Sequence, residues 1–364
     1  MGPLRGSFWA LVLYDVAEQI QLDKLREILG SAPPAREPSF RHPVPDYVRF
    51  ERPPVVEDVE PLAIGPGAQF QTRIKYFDYG VVSVELELPF EAGWDDLVRM
   101  SSRWIAAPEV EKRTTELLRA RLERVQPAVV EGYASWLSEE YYVIHVVEAL
   151  DEEGRPLTAS AMLSAHRAEI AQIVRGDSGP LAEAERAEAL QSSLSYYATD
   201  LLVVGWVAAL VYDTAEGAIP AIQLLEYANT QLLEFRHYDD VLTRVLENVY
   251  KLVEHRGGWF RHWRMARQAG SLNAMRLDVT ELTERTDNAI KFLSDMFYAR
   301  AYRMAAARVG VTDYRNLVER KLRIAGELYE FMVNEFYQAR SFLLEAMVVA
   351  ILVIELIHLF RFGV

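Results

Sequence analysis

Between Arg340 and Phe362 the chain reads RSFLLEAMVVAILVIELIHLFRF, and from Phe342 to Phe360 every residue is apolar except Glu345, Glu355 and His358. At ~1.5 Å of rise per helical residue, this run is about as long as a ~30 Å hydrocarbon core is thick. Arg340 and Arg361 bracket it. A transmembrane helix is expected here, with almost the whole chain on one side of a membrane and tethered by its tail. An ionised Glu near the middle of a span costs on the order of 2.5–3.5 kcal/mol, offset by the Leu, Ile, Val and Phe contributions. Glu345 sits one turn inside the start and can reach the interface, whereas Glu355 lies about two-thirds of the way along. The alternative is a buried helix of a soluble bundle, in which both carboxylates find partners.

The chain has 364 residues, which favours two domains or one domain with an appendage. Half of it is hydrophobic and a quarter charged, so a sizeable core forms and global disorder is excluded. The net charge of −14 is uneven: residues 218–364 hold 19 Lys+Arg against 18 Asp+Glu (+1), leaving 20 against 35 (−15) for the first 217. That acidic part disfavours general binding to nucleic acid or anionic lipid, which needs a positive surface. The absence of cysteine removes disulfides, thiolate zinc sites, iron–sulfur clusters and cysteine nucleophiles. The apolar run Phe8–Tyr14 meets Asp15 and Glu18 too soon to be a secretory signal and reads as a strand. Gly2 is followed by Gly6 where myristoylation wants Ser or Thr, so no lipid anchor is expected.

Hydropathy period predicts a buried strand over 7–14, a short helix over 21–29 and an extended proline-rich connection from Pro33 to Pro54. Residues 70–90 are β-rich, with alternation clearest where Val82, Val84, Leu86 and Leu88 interleave with Ser83, Glu85 and Glu87. Helices are predicted over 94–106 and 109–125, a strand over 140–150, helices over 160–175 and 181–192, and a last β-rich block over 195–213. From Ile219 strand signals vanish, and three helical stretches follow at about 219–256, 271–308 and 313–361. Apolar spacings recur, as at Leu317, Ile324, Leu328 and Phe331, the pattern of a bundle or coiled coil. The expected fold class is α+β: an acidic mixed α/β domain (1–217), a helical hairpin or coiled-coil stalk (218–340) and an apolar anchor helix (341–362).

Three places resemble the "required for meiotic nuclear division" family, also known as a domain of unknown function. The tail from Arg340 to Glu355 resembles that family's ending: an Arg, a Leu-Glu pair, an aliphatic run and a second Glu. The strand YFDYGVVSVEL (Tyr76–Leu86) resembles its aromatic–Asp–Tyr–Gly–Val–Val strand, and Arg308–Leu322 resembles the helix leading into its tail. These short matches lie within residues ~70–362, while residues 1–69 and the family's Gln-Ser helix start have no recognised counterpart. The resemblance implies an α/β domain, long helices and a membrane-anchoring last helix. Eukaryotic members act at mitochondria, where one supports organellar translation as an inner-membrane scaffold. The family has no established catalytic residues to carry over.

Constellations that would carry chemistry fail on context. Arg175-Gly-Asp-Ser178-Gly-Pro180 and Ser164-Ala-His166 suggest the loops of trypsin-like proteases, but His166 is predicted on a helix only twelve residues ahead of Ser178, and the second glycine is missing. Gly65-Pro-Gly67 lacks the Lys-Ser/Thr ending and following helix of a phosphate loop. Glu234–His237 and Glu355–His358 have the Glu-x-x-His spacing of di-iron bundles. In an antiparallel three-helix arrangement the two pairs fall ~40 Å apart, so exposed polar positions are the expected reading. From His255 to Arg276 there is no acidic residue. Arg256, Arg261, Arg264 and Arg267 interleave there with Trp259, Phe260 and Trp263, a composition suited to a bilayer interface or an RNA surface. A bundle corner closed by tryptophans has the same composition.

The function expected from these readings is non-enzymatic: a membrane-tethered scaffold or interaction protein, with no cofactor, no metal and no catalytic residue. Its partners are the membrane and further copies of itself in a homo-oligomer, with RNA or the ribosome as a further candidate. The bulk of the chain is expected in the cytoplasm, or on the matrix side in an organelle. The alternative is a soluble enzyme or ligand-binding protein with its site in the α/β domain.

Overall fold

The apolar run Phe8–Tyr14 lies in strand β1 (Leu4–Ile20), which is buried without a break from Ser7 to Ala17. Successive strand residues point to opposite faces, so a strand buried continuously must be covered on both. The computed structural model describes residues 3–30, 53–65, 67–151, 153–254 and 296–362, with single positions at 270, 274, 277, 279 and 280. Around β1 it forms one eight-stranded sheet, in the order β2–β3–β4–β1–β5–β8–β7–β6. The other strands are β2 (Val55–Ile64), β3 (Ala68–Tyr76), β4 (Val81–Ala92), β5 (Val129–Glu148), β6 (Ser193–Leu194), β7 (Leu201–Val204) and β8 (Ala208–Tyr212). Only β5 and β8 are paired in parallel; every other described pairing is antiparallel.

The even positions of β1 (Phe8, Ala10, Val12, Tyr14) join Val84, Leu86, Tyr142 and Ile144 in the main core. Six helices cover that face: α1 (Leu22–Leu29), α2 (Trp94–Trp104), α3 (Pro108–Val125), α4 (Ala159–Ala165), α5 (Arg167–Arg175) and α6 (Glu183–Gln191). The odd positions Trp9, Leu11, Leu13 and Asp15 are equally buried but lie on the opposite face. There Asp15 meets His237 of α7 (Ala215–Glu254). Two further helices follow, α8 (Met296–Val309) and α9 (Val311–Phe362). The mixed sheet followed by helices is the architecture expected.

Some elements differ from expectation. β5 begins at Val129 rather than near 140, because its exposed first half still pairs with the end of β1 (Ala17 opposite Gly132, Ile20 opposite Val129). β2 is a strand despite Pro61, which an edge position tolerates. The helix predicted over 160–175 is two helices broken at His166. Most of the proline-rich connection Pro33–Pro54 falls outside the described residues.

The chain forms two compact units, Met1–His237 with Thr286–Tyr314, and Tyr238–Arg285 with Arg315–Val364. The division falls inside α7 and inside α9, so each helix contributes to both. In the second unit Lys321 Nζ lies 2.5 Å from Asp239 Oδ1 and donates to Thr243 Oγ1 at 2.6 Å, while Val318 and Ala325 are buried. Among the described residues no helix is long and apolar enough to cross a membrane. The transmembrane span expected over Arg340–Phe362 is therefore not supported by the structure.

The Tyr76–Val82 motif makes the turn between β3 and β4. Gly80 has φ of 90°, and a Cβ there would lie 1.7 Å from the carbonyl oxygen of Ala17. The turn docks on β1 through Val16 N–H to Gly80 O and Ile20 N–H to Asp78 O, both 3.1 Å. Gly80→Ala meets both a left-handed backbone and a backbone collision, each a recognised source of large destabilisation. It is expected to cost about 3 kcal/mol or more, read as a lowered urea midpoint at unchanged slope.

Candidate functional site

The sheet face beneath α7 carries charge where a core would ordinarily be apolar. Along α7, Glu226, Thr230, Glu234 and His237 recur at spacings of four, four and three, which places them on one helix face. Glu226 and Thr230 are buried, as is Glu234. On the sheet, alternation along β3 and β4 sets Arg73, Lys75, Ser83 and Glu85 on the same side. Lys75 Nζ sits 2.6 Å from Glu85 Oε1 and 2.6 Å from Glu226 Oε2, and Arg73 Nε approaches Glu85 Oε2 at 3.3 Å. Two cations thus face two carboxylates. Tyr79, from the Gly80 turn, donates to Thr230 Oγ1 at 2.9 Å.

Burial works against the Lys75 ammonium, yet Glu226 and Glu85 outweigh it and raise its pKa above the ordinary value. A lysine held protonated has no lone pair and serves as neither base nor nucleophile. Burial likewise raises the Glu226 pKa, against the pull of Lys75. Among the described residues this cluster is a fastening, with its charges used up on each other.

The next contact along α7 is His237, whose Nδ1 is 2.5 Å from Asp15 Oδ2. Burial raises the Asp15 pKa, and the His237 contact opposes the rise. Tyr133 stacks on the imidazole at 4.9 Å and 20°. An Asp-bound imidazole is the orienting half of a general-base pair, but here one ring face is closed by Tyr133. Arg236 bonds Glu139 on β5. Glu234 and His237 were expected as exposed polar positions; both instead face protein, since α7 lies across the sheet. Among the described residues no set of three or more His, Asp or Glu is placed to hold a metal.

The start of α7 is fixed by local chemistry. Asp213 Oδ1 accepts from Thr214 N–H at 2.7 Å, and Thr214 Oγ1 accepts from Gly217 N–H at 3.1 Å, as N-terminal capping requires. His145 on β5 reaches the same corner, with Nε2 3.0 Å from the Asp213 carbonyl oxygen. A cleft beside it is lined by Asp200, Asp213, Phe297 and Tyr298. It holds about 20 Å³ of water-accessible space, room for one water and far below a ligand pocket.

The protease-like loop is an ordinary interhelical connection. Gly176 closes α5 in the left-handed conformation, Asp177 Oδ1 accepts from Gly179 N–H, and Gln172 Nε2 donates to the carbonyls of Ser178 and Gly179. His166 stacks on Trp94 at 4.2 Å. Arg256, Trp259, Phe260, Arg261, Trp263, Arg264 and Arg267 lie outside the described residues.

The other candidate surface is on α9. From Leu344 to Ile357 ten large apolar side chains are exposed: Leu344, Met347, Val348, Val349, the four from Ile351 to Ile354, Leu356 and Ile357. Ile351, Leu352, Val353 and Ile354 are 48–65% exposed. At 3.6 residues per turn, four successive residues go right round a helix, so the apolar surface is not confined to one side.

The fold and these sites describe an α/β body that clasps a long helix by buried charge, with an apolar helix in its second unit. Residues 5–218 match the family described as the N-terminal domain of the uncharacterized protein MJ0711, and the chain belongs to that family. The uncharacterized protein MJ0711 of Methanocaldococcus jannaschii is 22% identical over 170 residues, 47% of this chain and 52% of the relative. The chain thus spans about half the length of the curated relative that it matches. No solved structure matches it.

Two stability predictions concern the ionic cluster and His145. Lys75→Met leaves two buried carboxylates with one cation and is expected to cost about 3–5 kcal/mol. Adding Glu226→Leu should recover part of that loss, because Arg73 still neutralises Glu85; urea unfolding of both variants checks it. His145 is buried, and desolvation lowers its pKa from 6.5 to about 4 against the opposing pull of Glu87. Between those pH values the unfolded state binds the extra proton, so stability falls as pH drops through this window, by up to about 3 kcal/mol. His145→Gln should flatten that slope in urea midpoints taken at successive pH values.

Proposed function

We propose that this protein is a non-enzymatic scaffold tethered to a membrane through α9, with the α/β body as its interaction domain. The observation that carries the reading is the apolar surface running right round α9 between Leu344 and Ile357. A helix apolar on all sides belongs in a protein core or in lipid, and patches of this extent mark interaction surfaces. In the sequence the run continues beyond the described side chains to Phe342 and Phe360, ~28 Å at ~1.5 Å per residue. The resemblance of the tail to the "required for meiotic nuclear division" family points the same way, and support of translation is the role it would suggest. The competing reading, a soluble enzyme or ligand-binding protein, needs a site in the α/β body, where the Asp200–Asp213 cleft has room for one water.

Fractionation and flotation with phospholipid vesicles test the proposal. Full-length protein should float with vesicles and need detergent for extraction, and removal of residues 341–364 should release a folded α/β body. Full-length protein that is soluble and monodisperse without detergent would sink the reading.

A further inference from the structure

The stretch of α9 that holds no polar residue at all is short. It runs from Ala346 to Ile354, between Glu345 and Glu355, ~13 Å at ~1.5 Å per residue. Met347 lies within its first turn and is 50% exposed. The other methionines with described side chains are better covered. Met162 is fully buried in the main core, Met100 packs against that core, and Met304 is half-buried. The chain has no cysteine, so thioethers are its only sulfur and an oxidant meets no thiol first.

We propose that Met347 is a peroxide-sensitive modification site whose oxidation weakens the hold of α9 on a membrane. The proposal rests on the membrane reading above and adds its regulation. A lone pair on the thioether sulfur attacks one oxygen of hydrogen peroxide and the O–O bond breaks. The sulfur keeps that oxygen as a sulfoxide, the other leaves as water after proton transfer, and two electrons pass from sulfur to peroxide. The product is polar where the thioether was apolar. Its oxygen only accepts hydrogen bonds, and the side chains one turn away on the same helix face, Leu344, Ala350 and Ile351, have no donor to give it. Lipid supplies none either, and the backbone N–H groups of a helix are already in use. One such group carries weight here because Glu355 already offsets a large part of what the aliphatic side chains gain from lipid. Oxidation of the exposed helix before it meets lipid therefore leaves it in water.

Full-length protein is treated with hydrogen peroxide, freed of it, and mixed with phosphatidylcholine vesicles. Flotation and peptide mass spectrometry are read on the same samples, beside untreated protein. Met347 should gain oxygen at least about tenfold faster than Met162, whose thioether reacts only when the core opens. Oxidised protein should float at least about threefold less than untreated protein. Met347→Leu should float as well as untreated protein and go on floating after peroxide, while Met347→Gln, polar without any oxidant, should float poorly. Oxidation of Met162 as fast as Met347 would overturn the proposal. So would a loss of flotation by peroxide-treated Met347→Leu, or undiminished flotation of protein oxidised at Met347; each leaves the membrane reading standing. Untreated protein that does not float removes the membrane reading and the proposal with it.

Discussion

Lys75, held between Glu85 and Glu226 under α7, is the contact on which the placement of that helix depends. The apolar residues of α7 that face protein, such as Leu225 and Leu232, are non-directional in what they accept. A slip of one turn, ~5.4 Å, would exchange one aliphatic contact for another at little cost. The same slip would strand Lys75 and Glu226 in a poor dielectric without each other, and breaking a buried pair costs about 3–5 kcal/mol. Desolvation consumes much of what such a pair gains, so its contribution is register rather than net stability. Tyr79 to Thr230 and Asp15 to His237 repeat the device further along the helix.

α7 belongs to both units, the division falling between His237 and Tyr238. The His237–Asp15 contact lies in the first unit and the Asp239–Lys321 contact with α9 in the second. One continuous helix passes from ionic contacts with a sheet to ionic contacts with another helix within two residues.

Period and composition made the outline of the fold legible. The alternation Val82–Leu88, the apolar run at Phe8–Tyr14 and the loss of strand signals after Ile219 all correspond to elements of the expected type. What was not legible depended on partners distant in sequence. Lys75 and Glu226 are 151 residues apart, and neither is unusual beside its own neighbours. The visible hint was local: Glu226, Thr230 and Glu234 recur at helical spacing among the leucines of α7, and Asp15 directly follows the apolar run Phe8–Tyr14. Of these, Glu234 was read, with His237, as an exposed polar position because exposure is the ordinary fate of charge. The first half of β5 was missed for the opposite reason, since its exposed side chains carry little alternation.

The apolar end of α9 poses the remaining energetic question. On insertion scales, its ten exposed large apolar side chains at about −0.3 to −0.6 kcal/mol each yield about −3 to −6 kcal/mol. One ionised carboxylate near the middle of a span costs on the order of 2.5–3.5 kcal/mol, so Glu355, about two-thirds of the way along the run, offsets a large part of the gain. Neutralising or pairing that carboxylate restores most of it, which a soluble helix would have no need to do, because water already serves the charge. A glutamate and a histidine on a helix face otherwise made of Leu, Val and Ile are therefore hard to account for by lipid solubility alone. They are accounted for if the helix must find one particular neighbour, since the polar contact rewards a single register where apolar side chains would accept several.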